Sequence, residues 1–381
     1  MHTRYFARIF LVFAVVVSVV SAATISLDCR RDLRSQIRSA PSGSRLVGDG
    51  RCLWTTRDTI RITRRISLSN FRLKMASGVG RRFAMSIDSD GVRVSDFEMI
   101  GNLGTVRSSA RQSLLQVSGS NFQITNGRFT DSSRDGITVQ PKRGRAINGG
   151  TIRNVSGRGN DRDVVALNTE RAGAIGTRNI VVDDIEAYSS PSRGAVEVAD
   201  GVEDITVRNV YAEGCLYAVA IQDHSRSRLE SINRVKISDI TAVNCGYGIL
   251  AQTMALRHSD ISMENMTFRR CRRAMLVKNL DRVKVSGVRV SQSTSSGTQV
   301  DFQSCNGIDL QGISFSDSSA RKTAIRISDS TNVRVSRAVL RSSTSYDFGM
   351  KIYPARGRAS SSPQLQSNDL RAARVPLRIF R

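Results

Sequence analysis

The chain has few aromatic residues, few lysines and few histidines. Aromatic residues make up 6% of the 381 residues, and only seven of the 57 basic residues are lysine. The aromatic residues do not alternate with the basic ones, which argues against a protein that binds single-stranded nucleic acid. Three histidines occur. His224 and His258 lack the spacing of metal ligands, and we expect both at the surface.

Long apolar runs are absent after the N-terminus. Residues 9–20 form one nearly all-apolar run, preceded by Arg4 and Arg8 and followed by small residues. This pattern is typical of a secretory signal peptide, and the run is shorter than the roughly 20 residues of a membrane span. We therefore predict that residues 1–22 are a signal peptide and that the rest is a secreted, extracellular protein without a membrane segment.

Acidic residues are outnumbered, with 33 Asp and Glu against 57 Lys and Arg and a formal net charge of +24. Such a surface attracts polyanions. In an exported protein the expected partner is an acidic polysaccharide and not nucleic acid. The alternative is a genomic bias towards arginine codons, in which case the charge carries no functional meaning.

A repeat of about 25 residues runs through most of the chain. Segments such as NIVVDDIEA from Asn179 and DITVRNVYA from Asp204 share apolar residues at positions 2, 4, 7 and usually 9. Alternation at positions 2 and 4 indicates a strand, and the step to position 7 indicates a bend. A further alternating run follows in each copy. Position 2 falls at residues 66, 92, 122, 150, 180, 205, 235, 261, 283, 308 and 333.

One such unit cannot bury its apolar face alone, whereas stacked units can. We therefore predict an all-β fold, a right-handed parallel β-helix solenoid of about eleven coils over residues 61–355, and expect a monomer. Residues 23–60 would form an N-terminal cap and the first strands. Leu33 and Ile37 lie four apart there, which suits a short capping helix. Residues 356–381 would form an irregular C-terminal tail.

The six cysteines match no zinc-binding pattern. Cys29 and Cys52 flank the predicted cap and could form a disulfide across it. Cys215, Cys245 and Cys271 share one repeat position, so in a solenoid they would stack about 4.8 Å apart. We expect a ladder of buried thiols there, and a disulfide between two of the three is the alternative.

Two aspartates stand at matching positions of adjacent repeats. Asp135 precedes Ile137 by two residues, and Asp163 precedes Val165 by two residues. Their carboxylates should lie one strand spacing apart, where they cannot both ionise freely. Asp161 is a third carboxylate within reach. Such a group suits acid/base cleavage of a glycosidic bond, although aspartate is also common in tight turns for structural reasons.

These segments resemble the polygalacturonase family of glycoside hydrolases, which are right-handed β-helices with the motifs N-T-D-G, G-D-D, G-H-G and R-I-K. Asp135-Gly136 is similar to the end of the first motif, and Gly159, Asp161 and Asp163 are similar to a G-D-D with an inserted residue. The resemblance implies that Asp135 and Asp163 activate water and that Asp161 donates the proton. The inserted residue would form a bulge that turns Arg162 outward.

The sequence departs from the family at the other two motifs. Ser192-Arg193-Gly194 stands in place of G-H-G, and Ala220-Ile221-Gln222 stands in place of R-I-K. Polar residues also recur at one outward position of six coils, and they could line a sugar-binding groove or form a structural ladder. These are Gln140, Asn168, Gln222, Gln252, Lys278 and Gln303. The substrate-binding residues that we expect are Arg134, Asn168, Arg193, Gln222 and Lys278.

Three functions therefore remain open. The first is a divergent polysaccharide hydrolase with carboxylate catalysis and no cofactor or metal. The second is a polysaccharide lyase on the same fold, with an Arg or Lys base and Ca²⁺ held by aspartates. The third is a non-catalytic wall-binding protein or adhesin that holds a polyanion.

Overall fold

The computed structural model describes residues 23–142, 144–169, 176–224, 231–253, 256–294, 297–316, 323–341, 346–353 and 362–380. The predicted signal peptide, residues 1–22, lies outside this part of the chain. Within it, no helix combines the length and the apolar character needed to cross a membrane.

The described residues form one α-helix, α1 (Leu33–Ser39), two short 3₁₀ helices (Leu103–Thr105 and Ser108–Ala110) and 29 strands. The strands of the first half, in chain order, are β1 (Thr24–Ser26), β2 (Arg45–Val47), β3 (Leu53–Thr56), β4 (Ile60–Ile62), β5 (Ser67–Met75), β6 (Met85–Ile87), β7 (Arg93–Ile100), β8 (Leu115–Val117), β9 (Phe122–Thr130), β10 (Ile137–Val139), β11 (Ile147–Arg158), β12 (Val165–Leu167), β13 (Thr177–Tyr188), β14 (Gly194–Ala199) and β15 (Glu203–Glu213). The others are β16 (Tyr217–Gln222), β17 (Asn233–Val243), β18 (Tyr247–Gln252), β19 (His258–Arg269), β20 (Arg273–Lys278), β21 (Leu280–Ser291), β22 (Thr298–Gln303), β23 (Asn306–Ser316), β24 (Thr323–Ser328), β25 (Thr331–Ser336), β26 (Val339–Arg341), β27 (Tyr346–Ile352), β28 (Gln364–Gln366) and β29 (Ala373–Ile379).

The strands belong to two parallel sheets that wind together as one solenoid. The first sheet contains 16 strands. The second sheet contains 13 strands and runs from β4 through the even-numbered strands to β24, then to β27 and β29. Each strand pairs with the strand one coil away, and the solenoid makes about twelve turns. The predicted all-β parallel fold is therefore confirmed, with about one turn more than expected.

A column of left-handed residues produces the bend inside each long strand of the first sheet. Their φ angles lie between +50° and +67°, where Asn, Asp and Gly are tolerated best. This is position 6 of the repeat, between the apolar positions 4 and 7, so it explains why the alternation breaks there. The column consists of Asn70, Asp96, Asn126, Asn154, Asp184, Asn209, Asp239, Asn265, Gly287, Gly312 and Arg337.

The core is a stack of inward-facing apolar columns. In the second sheet, Ile137 pairs with Val165, and Val165 pairs with Val196. All three side chains are fully buried. In the first sheet, Phe71 and Phe97 stack with their ring centroids 5.7 Å apart. Because each coil buries the apolar face of the next, the stack and not the single coil is the stable unit.

The N-terminal end is closed by α1, as the sequence predicts. Asp32 caps the helix by accepting a hydrogen bond from the backbone N–H of Ser35, at 2.9 Å. Leu33 and Ile37 are buried against the first coils. The predicted disulfide between Cys29 and Cys52 is present and ties the cap to the chain that follows it.

The C-terminal segment differs from the irregular tail expected over residues 356–381. The strand β28 pairs in parallel with β25, and β29 pairs in parallel with β27. The solenoid therefore continues beyond residue 355. Val375 and Leu377 of β29 pair with Phe348 and Met350 of the coil before, and Ala373 of β29 is buried.

The cysteines at the shared repeat position form the expected buried ladder. Cys215, Cys245 and Cys271 are free thiols with no disulfide among them, and Cys305 is a fourth buried thiol. Each of the first three sulfurs lies near a backbone carbonyl of the preceding coil, as in the 3.7 Å contact from Cys215 to Ala187. Burial raises the pKa of Cys305 to about 11.

Candidate functional site

Asp135 and Asp163 lie on adjacent coils, as the repeat predicts. Ile137 of β10 pairs with Val165 of β12, so the two aspartates stand at the same place before their strands. The backbone N–H of Asp163 lies 3.4 Å from Oδ1 of Asp135. Both side chains are at most 2% exposed, which makes this a buried carboxylate pair and not a pair of surface turn residues.

A third carboxylate, Glu197, joins them from the next coil. It occupies the outward position between Val196 and Val198 on β14, and its side chain is 1% exposed. It accepts hydrogen bonds from Arg193 at 2.8 Å and from Gln222 at 3.0 Å. Sequence reasoning missed Glu197, although a charged residue inside an otherwise apolar strand, one coil after Asp163, was a usable signal.

Arg162 lies inside this group, so the prediction that it turns outward is wrong. Its guanidinium is 3.4 Å from Asp135, 3.1 Å from Glu197 and 4.0 Å from Asp163. The side chain is 20% exposed. The physical reason is charge, because buried carboxylates left without a cation would be strongly destabilising. Arg162 lies close enough to pair with the carboxyl groups of all three coils.

Asp161, the expected proton donor, has a different partner. Its carboxylate pairs with Arg111 at 2.8 Å and is 22% exposed. Among the hydrogen bonds of the described residues, none joins it to Asp135 or to Asp163. The residue inserted before Asp163 therefore brings Arg162, and not Asp161, into the carboxylate group.

The other expected binding residues are divided between this group and the rest of the sheet. Arg134 lies 3.4 Å from Asp135, and Arg193 and Gln222 bind Glu197. Asn168 precedes Gln222 by two coils in the same outward column, and its Oδ1 has no hydrogen-bond partner. Lys278 continues that column but is exposed and lies two coils beyond Gln222.

Of the two histidines expected at the surface, His224 is exposed, as predicted, whereas the prediction is wrong for His258, which is buried. His224 bridges two carboxylates, with Nε2 at 3.3 Å from Glu197 and Nδ1 at 3.0 Å from Asp200. His258 is fully buried and accepts a hydrogen bond from the backbone N–H of Ile232 at 3.1 Å. Burial lowers the pKa of His258 to about 4, so this ring is neutral and structural.

Tyr217 lies at the centre of the carboxylate group and was not anticipated from the sequence. Its hydroxyl donates to Asp163 at 2.9 Å and lies 3.4 Å from Glu197. The residue is fully buried. Asp163 also accepts a hydrogen bond from the backbone N–H of Gly194 at 3.1 Å.

The pKa values of Asp163 and Glu197 move in opposite directions. Burial, followed by the charges of Glu197 and Asp135, raises the pKa of Asp163 well above its usual value. Burial acts in the same sense on Glu197, but the hydrogen bond and charge of His224 and the charges of Arg193 and Arg162 outweigh it and lower its pKa. Asp163 is therefore the protonated partner and Glu197 the ionised one.

The side chains of the cations around Glu197 form the solvent-exposed part of the site. The side chains of Arg162, Arg193 and His224 are 20%, 25% and 36% exposed, whereas the carboxylates beneath them are almost fully buried. The hydrogen bonds to Asp200 and Glu197 raise the pKa of His224 to about 9, so it is a cation near neutral pH. An anionic group that approaches the site would meet these three cations first.

A separate cavity of about 660 Å³ lies on the first sheet near the C-terminal end. Its lining includes the charged residues Asp260, Arg282, Lys284 and Arg334. Its lining does not include any member of the carboxylate group.

Comparison with protein-family models and with curated proteins finds no match. Solved structures do match. The A-module of mannuronan C-5 epimerase AlgE4 of Azotobacter vinelandii has a TM-score of 0.52 at 13% identity, covering 89% of each chain. The family 28 exopolygalacturonase of Yersinia enterocolitica has a TM-score of 0.54 at 9% identity, covering 91% of this chain and 78% of that one.

A third similar structure is the endo-xylogalacturonan hydrolase of Aspergillus tubingensis, with a TM-score of 0.52 at 15% identity, covering 79% of this chain and 95% of that one. Identities this low carry no residue-level assignment. The structural similarity shows the fold alone, and that fold is a right-handed parallel β-helix.

Proposed function

We propose that this protein is a secreted hydrolase of an acidic polysaccharide in which Asp163 is the proton donor and Glu197 is the base. The observation that carries the proposal is the pair of opposite pKa shifts on two carboxyl groups that contact one hydroxyl, that of Tyr217. Environments that separate two such pKa values create an acid and a base at the same pH.

In the proposed reaction, Asp163 gives its proton to the glycosidic oxygen as the bond from that oxygen to the anomeric carbon breaks. Glu197 accepts a proton from a water molecule whose oxygen forms the new bond to the same carbon. One water is consumed, and the protein returns to its starting state when the proton passes back to Asp163. Asp135 holds Arg162 in place, and this replaces the water-activating role expected for Asp135 and the donor role expected for Asp161.

The cationic cover supports an acidic substrate. Arg162, Arg193 and His224 expose positive charge directly above the two carboxyl groups. A uronate carboxylate that binds them would compete with Glu197 for the same cations and so weaken the contacts that close the site. Two of the similar structures are hydrolases by name, an exopolygalacturonase and an endo-xylogalacturonan hydrolase.

The second candidate is a lyase, and the phenol of Tyr217 beside Arg193 favours it. A lyase removes the proton next to the uronate carboxylate and leaves an unsaturated sugar, so it needs cations that neutralise that carboxylate. Arg162 and Arg193 are placed to do this without a metal. The two reactions differ in product, because only the lyase forms a double bond.

The test is incubation of the full chain with pectate, xylogalacturonan, alginate and neutral glucans, following reducing ends and ultraviolet absorbance together. The hydrolase proposal expects new reducing ends without absorbance, from an acidic chain. It also expects those reducing ends to be lost in Asp163→Asn and in Glu197→Gln. Absorbance that rises with the reducing ends would instead establish the lyase. If no acidic chain is cleaved but binding is retained, the protein is a non-catalytic polysaccharide-binding protein.

A further inference from the structure

Three cations form a column on the outer face of the last coils of the second sheet. Arg326 pairs with Lys351, and Lys351 pairs with Arg378. They occupy the outward column that holds Glu197 five coils earlier, so the two places are about 24 Å apart at one strand spacing a coil. We call these three residues the cation ladder.

Only the first member of the ladder is neutralised within the described part of the chain. Arg326 donates from Nε to Asp301 at 2.8 Å, and the Asp301 side chain is fully buried. No salt bridge of Lys351 or Arg378 occurs among the described residues. Burial and the like charge of Arg378 lower the pKa of Lys351. Like charges directly opposite on neighbouring strands are destabilising, so an anion placed between them would be stabilising.

Aromatic rings hold the two outer cations in place. The Lys351 ammonium lies 3.4 Å from the centroid of the Phe348 ring, and the Arg378 guanidinium lies 4.7 Å from that of Phe380. The Phe380 ring in turn stacks on Tyr353 with centroids 4.2 Å apart and an angle of 7° between their planes. Cation–π contacts of this kind fix a cation without neutralising it.

We propose that the cation ladder is an anchoring site for a polyuronate, an extended polysaccharide with one carboxylate on each sugar. The two cations without a carboxylate partner, Lys351 and Arg378, stand one strand spacing of about 4.8 Å apart, which is close to the length of one sugar unit. A chain that lies along the solenoid axis would therefore place successive carboxylates against successive cations. The site is separate from the carboxylate group and does not depend on cleavage.

Nucleic acid fits the ladder less well. Proteins that bind single strands stack bases on open aromatic faces. Here the Lys351 ammonium lies over the Phe348 ring and the Arg378 guanidinium over the Phe380 ring, and the Phe380 ring also stacks on Tyr353. The rings therefore position cations and leave little open face for a base.

The test compares three full-length proteins for binding to oligogalacturonate of about eight sugars by calorimetry at low and high salt. Lys351→Gln with Arg378→Gln removes the two outer cations, which are not in the core. Lys236→Gln with Arg289→Gln removes the same charge from exposed positions of the first sheet that lie outside the cavity described above. We leave Arg326 unchanged, because its loss would strand buried Asp301. We expect roughly tenfold weaker binding for the ladder variant at low salt and no more than a twofold change for the control.

Binding of the ladder variant equal to that of wild type, or a loss matched by the control, would overturn the proposal. Tighter binding of a single-stranded oligonucleotide than of oligogalacturonate, lost in the same variant, would assign the ladder to nucleic acid instead. The catalytic proposal is tested separately, because Asp163→Asn should bind oligogalacturonate as wild type does even where it cleaves nothing.

Discussion

Asp163 and Glu197 stand on adjacent coils, contact the same Tyr217 hydroxyl, and nevertheless take opposite protonation states. Their surroundings explain the difference. Glu197 has Arg193 at 2.8 Å and Arg162 at 3.1 Å, whereas the nearest cation to Asp163 is Arg162 at 4.0 Å. Together with His224, these cations stabilise charge on Glu197, and burial together with that charge keeps the proton on Asp163.

Substitution of Asp163 by Asn should abolish cleavage and leave stability almost unchanged. Because Asp163 is protonated, Asn keeps its size, its neutrality and its acceptors for Tyr217 and Gly194. We expect a loss of at least about 100-fold in kcat for any hydrolase activity and a Tm within about 3 °C of wild type. Calorimetry and a reducing-end assay measure the two effects. A protein that unfolds much earlier would show that Asp163 carries charge in the native state.

Substitution of Glu197 by Gln should destabilise the protein strongly. It leaves Arg162 and Arg193 beside each other without the carboxylate that neutralises them, which costs about 3–5 kcal/mol for a buried pair. Glu203→Gln is the matched control, since Glu203 pairs with Arg234 at the surface with 37% of its side chain exposed, and it should cost less than about 1 kcal/mol. Urea unfolding compares the two. Equal costs would mean that Glu197 has access to solvent.

The pH dependence of stability should report on His224. Its pKa is about 9 in the folded protein, against an ordinary value of 6.5 for histidine, so its stabilising contribution is complete below pH 6.5 and is lost as the pH rises towards 9. Subtracting the Tm profile of His224→Gln from that of wild type should give a difference that shrinks over this range. We expect about 1 kcal/mol, because the side chain is partly exposed. A difference that stays constant would exclude a charged His224.

The same variant should also change the activity profile. A rate that needs ionised Glu197 and protonated Asp163 is bell-shaped, with the acid limb set by Glu197. Loss of His224 removes the leading contact that lowers the pKa of Glu197, so the acid limb of kcat should move to higher pH. The measurement is kcat against pH for both proteins. An unchanged acid limb would separate His224 from the chemistry.

The left-handed column offers a stabilising substitution. Arg337 takes the bend position with a φ of +54° where other coils have Asn, Asp or Gly. A left-handed conformation costs an ordinary residue roughly 1–2 kcal/mol, so Arg337→Asn should raise stability by about 0.5–1 kcal/mol. Arg334→Asn, which removes the same side chain from an ordinary strand position, should give no gain. A fall in Tm for Arg337→Asn would refute this account.

The fold could be predicted because every coil repeats the same physical requirement. Apolar residues at positions 2, 4, 7 and 9 face the core, and the bend at position 6 needs a residue such as Asn154 or Asp184 that tolerates positive φ. The end of the solenoid was harder to place. The repeat pattern of β28 and β29 is weak, and their pairing to β25 and β27 depends on contacts between coils.

The site was predictable only in part, for a related reason. The shared register of Asp135 and Asp163 follows from sequence, since both precede an inward residue by the same number of positions. Tyr217 and His224 look like ordinary outward residues until the contents of the neighbouring coil are known, whereas Glu197 stands out as a charge in an apolar strand. Arg162 was misplaced because a one-residue insertion can bring either Asp161 or Arg162 inward. Arg162 and not Asp161 lies inward because the buried carboxylates need a cation beside them.

Because the coils stack in parallel at a constant spacing, the distance between two sites on the second sheet is set by the number of coils between them. Arg326 lies five strand spacings from Glu197. Insertion or deletion of one whole coil between them would keep every core column aligned and change only this distance, by about 4.8 Å. The minimum length of a linear molecule that touches both places is thus counted in coils, independently of the side chains at either end.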